Sequence, residues 1–235
     1  MISHARAARD VSILMNDIHR KPEIRSENDE GGAAREGRKR TRDPDGKRRA
    51  LQSTAMQLFA TRGFEAVSIA DIAREAGMAV GTVYRFYPNK IALLRAMHDA
   101  LEERFVACLV DAWSYPEPPA ERLDTVCDAL FELMDERRQE LRVLSMTTDV
   151  MHEDGRLPGD AVRSQIATMI ADAQRSGAFR KGDPVFLAAM AHGTVEGAMR
   201  HWLRTGGERH AVARATAIML RRGIVVRNDS PSHEA

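Results

Sequence analysis

Residues 67–90 read VSIADIAREAGMAVGTVYRFYPNK, and this stretch decides the fold. Ser68 stands before a helical pattern and Asp71 follows three residues later, which is typical of a capping box, although Glu or Gln is more usual there. Gly77 is expected to end this short helix at the position after its C-cap. A second short helix follows and is expected to end before Pro88. Two short helices around a glycine-containing turn predict a helix-turn-helix.

The pattern remains helical on both sides of this stretch. From Lys47 onward, apolar residues recur at spacings of three and four until Gly63 ends the helix. Asn89 is expected to cap a long helix that runs to about Trp113. Beyond a proline-rich break, helices are expected near 119–137, 139–152, 160–177, 184–205 and 208–222. No convincing strand pattern with a period of two appears, so the sequence predicts an all-α fold.

Three stretches carry a resemblance to a known family: AMQLFATRGF at 55–64, VSIADIAREAG at 67–77 and VGTVYRFYPNK at 80–90. In this order and with these gaps, residues 52–94 resemble the DNA-binding head of TetR-family transcriptional regulators. The resemblance covers under a fifth of the chain. It implies a three-helix helix-turn-helix head followed by a larger helical domain for ligand binding and dimerisation.

The resemblance implies that the helix near 80–86 enters the major groove and that the preceding helix points its N-terminus at a phosphate. Thr82 is expected at a phosphate or a thymine methyl, Tyr84 against sugar or phosphate, and Arg85 near guanine. The implied DNA-binding residues are Ser68, Val80, Gly81, Thr82, Tyr84, Arg85, Tyr87 and Lys90. Each also has an ordinary structural interpretation, as a helix cap, a core side chain or a surface charge.

One position departs from the family pattern. The family usually places a polar aromatic or His and then Phe after the Tyr-x pair, whereas this chain has Phe86 and then Tyr87. Tyr87 is therefore expected to take the core-aromatic place with its hydroxyl at the edge. Phe86 lacks the polar group that often touches the DNA backbone.

The chain divides into four predicted regions: a basic extension at 1–46, a DNA-binding domain at 47–92, a regulatory and dimerisation domain at 93–227, and a polar tail at 228–235. Residues 5–19 are expected to form an amphipathic helix. Few apolar residues lie between 25 and 46, so that stretch is expected to be disordered. The basic run from 35 to 49, which includes Arg48, fits either a phosphate-contacting arm or a solubilising tail.

The resemblance also implies a homodimer formed by the last two helices. Ala189, Gly193 and Gly197 repeat every four residues, and the final helix carries Ala215 and Ile218 on an apolar stripe. Two such helices from each subunit would form a four-helix bundle across a two-fold axis. The alternative is that these faces pack internally without a dimer.

A small-molecule effector is implied between the middle helices. The candidate pocket residues are Trp113, Met134, Met146, Met151 and Met169, since methionine adapts to varied apolar ligands. A methionine at helical spacing also serves as ordinary core. The expected function is that of a transcriptional repressor. It is expected to bind a palindromic operator in double-stranded DNA and to be released from that operator by the effector. The sequence does not separate a repressor from an activator.

The remaining features argue against other classes of protein. The net charge is +1, and the chain contains no apolar run of the length a membrane span needs. The two cysteines, Cys108 and Cys127, fit ordinary helix residues better than a redox pair, and the cytoplasm is the expected compartment. No nucleophile, cofactor loop or metal spacing indicates an enzyme, and no cofactor or metal is expected. The recognition-helix pattern argues against a purely structural or protein-binding helical module, which would not require it.

Overall fold

The computed structural model describes residues 43–147 and 159–225. In these two ranges the backbone forms helices, and the one β contact is an isolated bridge between Phe179 and Val225. The predicted all-α fold is therefore confirmed. The expected helix at 5–19, the basic run up to residue 42, Met151 and the tail at 228–235 lie outside the described residues.

The helices, in chain order, are α1 Pro44–Arg62, α2 Ile69–Glu75, α3 Val80–Phe86, α4 Lys90–Trp113, α5 Pro119–Glu136, α6 Arg138–Ser145, α7 Asp160–Arg175, α8 Pro184–Thr205 and α9 Arg209–Ile224. Local signals set many of these bounds. Asn89 caps α4 by accepting a hydrogen bond from the amide of Ala92 at 2.7 Å. The side chain of Asp183 likewise accepts from Val185 ahead of α8, which has the predicted bounds.

Two predicted bounds are wrong. Helix α1 begins at Pro44 and not at residue 47, because Asp43 accepts from the amide of Gly46 at 2.8 Å and proline suits the first helical turn. Residues 44–46 therefore belong to the head and not to the extension. Helix α6 ends at Ser145 and not at 152, because the amides of Met146 and Thr147 bond to carbonyls three residues back.

The head is built from α1, α2, α3 and the start of α4. Its core consists of side chains at helical spacing, and Phe59 packs edge-to-face on Phe64 with ring centroids 5.1 Å apart. The buried side chains are Leu51, Ala55, Leu58, Phe59, Val67, Ile69, Ile72, Ala73, Val83, Tyr87, Leu93 and Leu94. This core fixes the orientation of α3 relative to the rest of the head.

Helix α4 continues into the second helical layer, where it packs against α5 and α7. Helix α5 packs against α9, and α7 packs against α8. Trp202 of α8 is fully buried against Phe131 of α5, with ring centroids 5.9 Å apart. Its indole N–H donates to the carbonyl of Gly207 at 3.1 Å. Together with α6, helices α4, α5, α7 and α8 surround a cavity that is partly open to solvent.

Candidate nucleic-acid interface and internal cavity

The N-terminus of α2 forms the predicted capping box. The Ser68 hydroxyl accepts from the amide of Asp71 at 3.1 Å, and Asp71 accepts from the amide of Ser68 at 3.0 Å. Hydrogen bonds from the Ser68 side chain, the Ser68 amide and Arg74 lower the pKa of Asp71 to about 2. A lowered pKa means that the ionised carboxylate stabilises the folded state above its ordinary pKa of 3.8. That contribution disappears as the pH falls towards 2.

Replacing Ser68 by alanine is expected to lower the free energy of unfolding by about 0.5–2 kcal/mol, because the amide of Asp71 loses its acceptor. Urea denaturation at pH 7 measures this difference. Ser53→Ala is the matched control, since Ser53 is exposed within α1 and caps no helix. Equal losses of stability in the two variants would contradict the capping role.

The connection between α2 and α3 is a tight turn that depends on Gly77. Gly77 has a φ of 63°, a conformation that residues with a side chain rarely adopt. The amide of Gly77 donates to the carbonyl of Arg74, and the amide of Met78 donates to the carbonyl of Ala73 at 2.9 Å. The turn directs α3 across the head so that Val83 points into the core.

The opposite face of α3 is open to solvent. Val80, Gly81, Tyr84 and Arg85 are exposed, and Thr82 is partly exposed. The ring of Tyr84 is 52% exposed although it is large and partly apolar. A Cβ added at Gly81 would meet no atom within 4 Å, so packing inside the protein does not require glycine there. This face carries the hydroxyl of Thr82, the ring of Tyr84 and the guanidinium of Arg85. The missing side chain at Gly81 lets another molecule approach the backbone of α3 closely.

The structure corrects the role of Tyr87. Its side chain is only 6% exposed, and its hydroxyl accepts from the Gln52 amide at 3.2 Å. Burial raises the pKa of the phenol. Tyr87 is therefore a core aromatic with its hydroxyl at the edge, as the departure from the family pattern predicted. The ring faces the interior of the head, so any DNA contact of Tyr87 is confined to its hydroxyl.

Lys90 has internal partners that the sequence does not reveal. Its ammonium donates to the carbonyl of Phe64 at 2.8 Å and to that of Glu65 at 3.4 Å. It also lies 4.2 Å from the centre of the Phe64 ring. Lys90 thus joins the α1–α2 connection to the start of α4. Since an ammonium has three N–H groups, at most one remains for a DNA phosphate.

Positive charge lies beside α3. The guanidinium of Arg48 in α1 sits 5.7 Å from the ring centre of Phe86, at the end of α3. Lys47 and Arg49 flank it and are exposed. Arg85 has no ion-pair partner within residues 43–147 and 159–225. Arg48 therefore adds positive charge at the end of the exposed helix, and an α-helix fits a major groove about 12 Å wide.

A cavity of about 170 Å³ lies among α4, α5, α6, α7 and α8. Of the predicted pocket residues, Met134 lines it, while Trp113 and Met169 line a smaller neighbouring cavity of about 50 Å³. Met146 does not belong to either, because its side chain is 82% exposed and faces a surface groove beside the head. The prediction for Met146 is therefore wrong, and Met151 lies outside the described residues.

Sequence reasoning missed the polar residues of the cavity. His98 and Glu102 come from one face of α4, and His192 and Glu196 come from one face of α8. Each pair is spaced by four, which is the only signal in the sequence, and solvated helix faces show the same spacing. In the described residues, no group of three His, Cys, Asp or Glu side chains is placed to hold a metal ion.

The predicted dimer residues lie on the exposed sides of α8 and α9. Ala189, Gly193, Gly197, Ala215 and Ile218 are all exposed in the protomer. Large apolar side chains lie exposed on the same two helices: Val185, Phe186, Met190 and Met219. A Cβ at Gly193 or Gly197 would meet no atom within 4 Å. The alternative of internal packing is therefore wrong for these residues.

Neither cysteine has the character of a redox sensor. Burial raises the pKa of Cys108 to about 11 and that of Cys127 to about 12, with nearby carboxylates adding to the effect. Both thiols therefore remain protonated near neutral pH, where a sensor needs a thiolate. Among the described helices, none is long and apolar enough to cross a membrane.

Comparison with known proteins gives the same fold. Residues 51–97 match the family described as bacterial regulatory proteins, tetR family, and residues 116–224 match the tetracyclin repressor-like C-terminal domain. The nucleoid occlusion factor SlmA of Vibrio atlanticus is 23% identical over 172 residues, which cover 70% of this chain and 87% of SlmA. The HTH-type transcriptional repressor KstR of Mycolicibacterium smegmatis is 30% identical over 133 residues, 56% of this chain and 64% of KstR.

The solved structure of a SmeT–triclosan complex has the same fold, with a TM-score of 0.65 at 20% identity over 78% of this chain and 93% of that chain. Two family matches in chain order, one on the head and one on the second domain, cover most of the described helices. The matched families contain regulators and not enzymes. The chain belongs to the TetR family and is a DNA-binding transcriptional regulator.

Proposed function

We propose that the protein is a homodimeric repressor that binds a palindromic operator and leaves it when a small molecule occupies the cavity among helices α4 to α8. The observation that carries this proposal is the exposed face of α3, with Tyr84 open to solvent and Val83 fixed in the core. In this proposal the site consists of Val80, Gly81, Thr82, Tyr84 and Arg85 on α3, with Ser68 and Arg48 at the flanking phosphates.

The exposed surface on α8 and α9 supports the dimer. Large apolar side chains left in water favour association with a partner, and glycines without internal neighbours permit close helix approach. A two-fold axis makes the same patch meet itself. Two α3 helices then face half-sites about 34–36 Å apart, which matches one turn of B-DNA.

Helix α6 lies between the cavity and the head. Leu141, Leu144 and Ser145 line the cavity on one side of this helix. Arg142 and Val143, on the other side, line a groove shared with Phe59 and Gly63 of the head. A ligand that displaces α6 therefore shifts the packing against α1. Release requires that the ligand bind the altered arrangement more tightly than the DNA-bound one.

Repression, as opposed to activation, is supported by the similarity to KstR, which is a transcriptional repressor. A small-molecule effector is supported by the cavity and by the fold shared with SmeT, whose structure contains triclosan. A reporter fused to the DNA upstream of the protein's own gene tests the proposal. Loss of the gene is expected to raise reporter expression. A fall in expression would identify an activator instead.

A further inference from the structure

The body of the cavity is apolar and small. Phe105 and Leu109 of α4, Met134 of α5 and Leu144 of α6 form much of its wall. Its volume of about 170 Å³ is close to that of an engineered apolar cavity, about 150 Å³, which binds benzene. A molecule of one ring with short substituents fits this volume.

The two carboxylates of the cavity wall already have partners. Glu102 accepts from the amides of Ala161 at 2.7 Å and Val162 at 3.4 Å, at the start of α7. These bonds cap α7, whose N-cap residue is a glycine without a capping side chain. Glu196 accepts from the guanidinium of Arg200 at 2.6 Å. Each carboxylate is engaged through its Oε1, so a cationic ligand would share Glu102 with the cap of α7 and Glu196 with Arg200.

The described lining of the cavity carries little positive charge for an anionic ligand. Among the described residues that line it, Arg200 is the one Lys or Arg side chain, and it is held by Glu196. Burial lowers the pKa of His98, against the opposing effect of Asp99. Burial also lowers the pKa of His192, where Arg163 acts in the same direction and Glu196 and Glu102 oppose it. Both imidazoles are therefore neutral near pH 7.

His98 is left with unused hydrogen-bonding capacity. Its Nε2 is buried and has no hydrogen-bond partner within residues 43–147 and 159–225. A buried polar atom without a partner costs free energy, which a ligand that pairs with it recovers. Because Nε2 is buried, a ligand in the cavity pairs with it only after the ring turns about its second side-chain torsion, which is broad in histidine.

We propose that the effector is an uncharged, single-ring-sized apolar alcohol or phenol, whose hydroxyl pairs with His98 while its ring packs against Phe105, Leu109 and Met134. A hydroxyl both donates and accepts, so it pairs with either tautomer of a neutral imidazole. Among the described residues that line the cavity, a carboxylate finds no Lys or Arg without a carboxylate partner, and an ammonium would have to share Glu102 and Glu196 with their present partners. This inference rests on the proposed role of the cavity as the effector site.

Calorimetric titration of the full chain, without DNA, tests the proposal with four probes of one shape. They are 4-isopropylphenol, 4-isopropyltoluene, 4-isopropylbenzoate and 4-isopropylbenzylamine. The phenol is expected to bind about tenfold more tightly than the hydrocarbon, which corresponds to about one net hydrogen bond. The benzoate and the benzylamine are expected to bind more weakly than the phenol. Binding of either ion as tight as that of the phenol, or no binding of any probe, would overturn the proposal.

Variants at His98 separate hydrogen bonding from packing. His98→Leu is expected to remove the preference for the phenol and to keep binding of the hydrocarbon, whereas His98→Gln is expected to retain the preference. His210→Leu is the control, since His210 is exposed on α9. Thermal unfolding checks that each variant is folded, and a preference that persists in folded His98→Leu would contradict the proposal.

Operator binding is measured in a separate titration with and without the phenol. Phenol binding without release of DNA would sustain the ligand class and refute the release mechanism. Release of the operator by the benzoate and not by the phenol would sustain the effector role and refute the ligand class.

Discussion

Replacing Tyr84 by alanine is expected to weaken operator binding by about 30-fold or more. The ring projects from the open face of α3, and its neighbour Val83 is fully buried, so the head should fold without the Tyr84 ring. One side-chain contact with DNA is worth about 1–3 kcal/mol, and a homodimer loses it at both half-sites. Fluorescence anisotropy with labelled operator DNA measures the change.

Tyr115→Ala is the matched control for this experiment. Tyr115 is 54% exposed and Tyr84 is 52% exposed, but Tyr115 lies between α4 and α5. Substitution there removes a ring of the same size and exposure outside the proposed interface. Unchanged operator affinity in Tyr84→Ala, or an equal loss in Tyr115→Ala, would remove α3 from the DNA-binding surface.

Replacing Ile218 by glutamate is expected to weaken the dimer by more than about a hundredfold and to abolish operator binding at submicromolar protein. The two-fold axis would bring carboxylates from both subunits into an apolar interface, and unpaired buried charges cost about 3–5 kcal/mol. Sedimentation velocity measures the dimer, and anisotropy on the same samples measures DNA binding. The two losses should occur together.

Val110→Glu is the control for the dimer prediction. Val110 is 46% exposed on α4 and Ile218 is 41% exposed on α9, so each substitution adds a charge at a similarly exposed apolar position. The control is expected to remain dimeric and to bind the operator. A dimeric Ile218→Glu protein would show that α8 and α9 do not form the interface.

Local signals in the sequence predicted much of the helical frame. The capping box of Ser68 and Asp71, the glycine turn at Gly77 and the Asn89 cap need only residues close in sequence, and the structure confirms all three. The start of α1 was missed although Asp43 and Pro44 form a standard helix start. The surrounding basic run led to the prediction of a disordered arm that extended to residue 46.

The site was harder to predict wherever it depends on distant contacts. The Lys90 ammonium bonds to a carbonyl 26 residues away, and the Tyr87 hydroxyl bonds to a side chain 35 residues away. The polar wall of the cavity joins His98 of α4 to His192 of α8, and no local pattern connects them. The side chain of Met146 is exposed and does not line the cavity, because α6 ends at Ser145. Helical spacing predicts which residues share a face, but tertiary packing decides what that face meets.

The most direct test of the central claim is anisotropy of the wild-type protein on DNA from just upstream of its own gene, compared with scrambled DNA of the same length at two salt concentrations. Tight binding that depends on sequence is expected, with a salt dependence that reflects phosphate contacts. If both DNAs bind weakly and equally, a genome-wide selection of bound fragments decides the question. Enrichment of a palindromic site there would agree with the account, and the absence of any enriched site would contradict it.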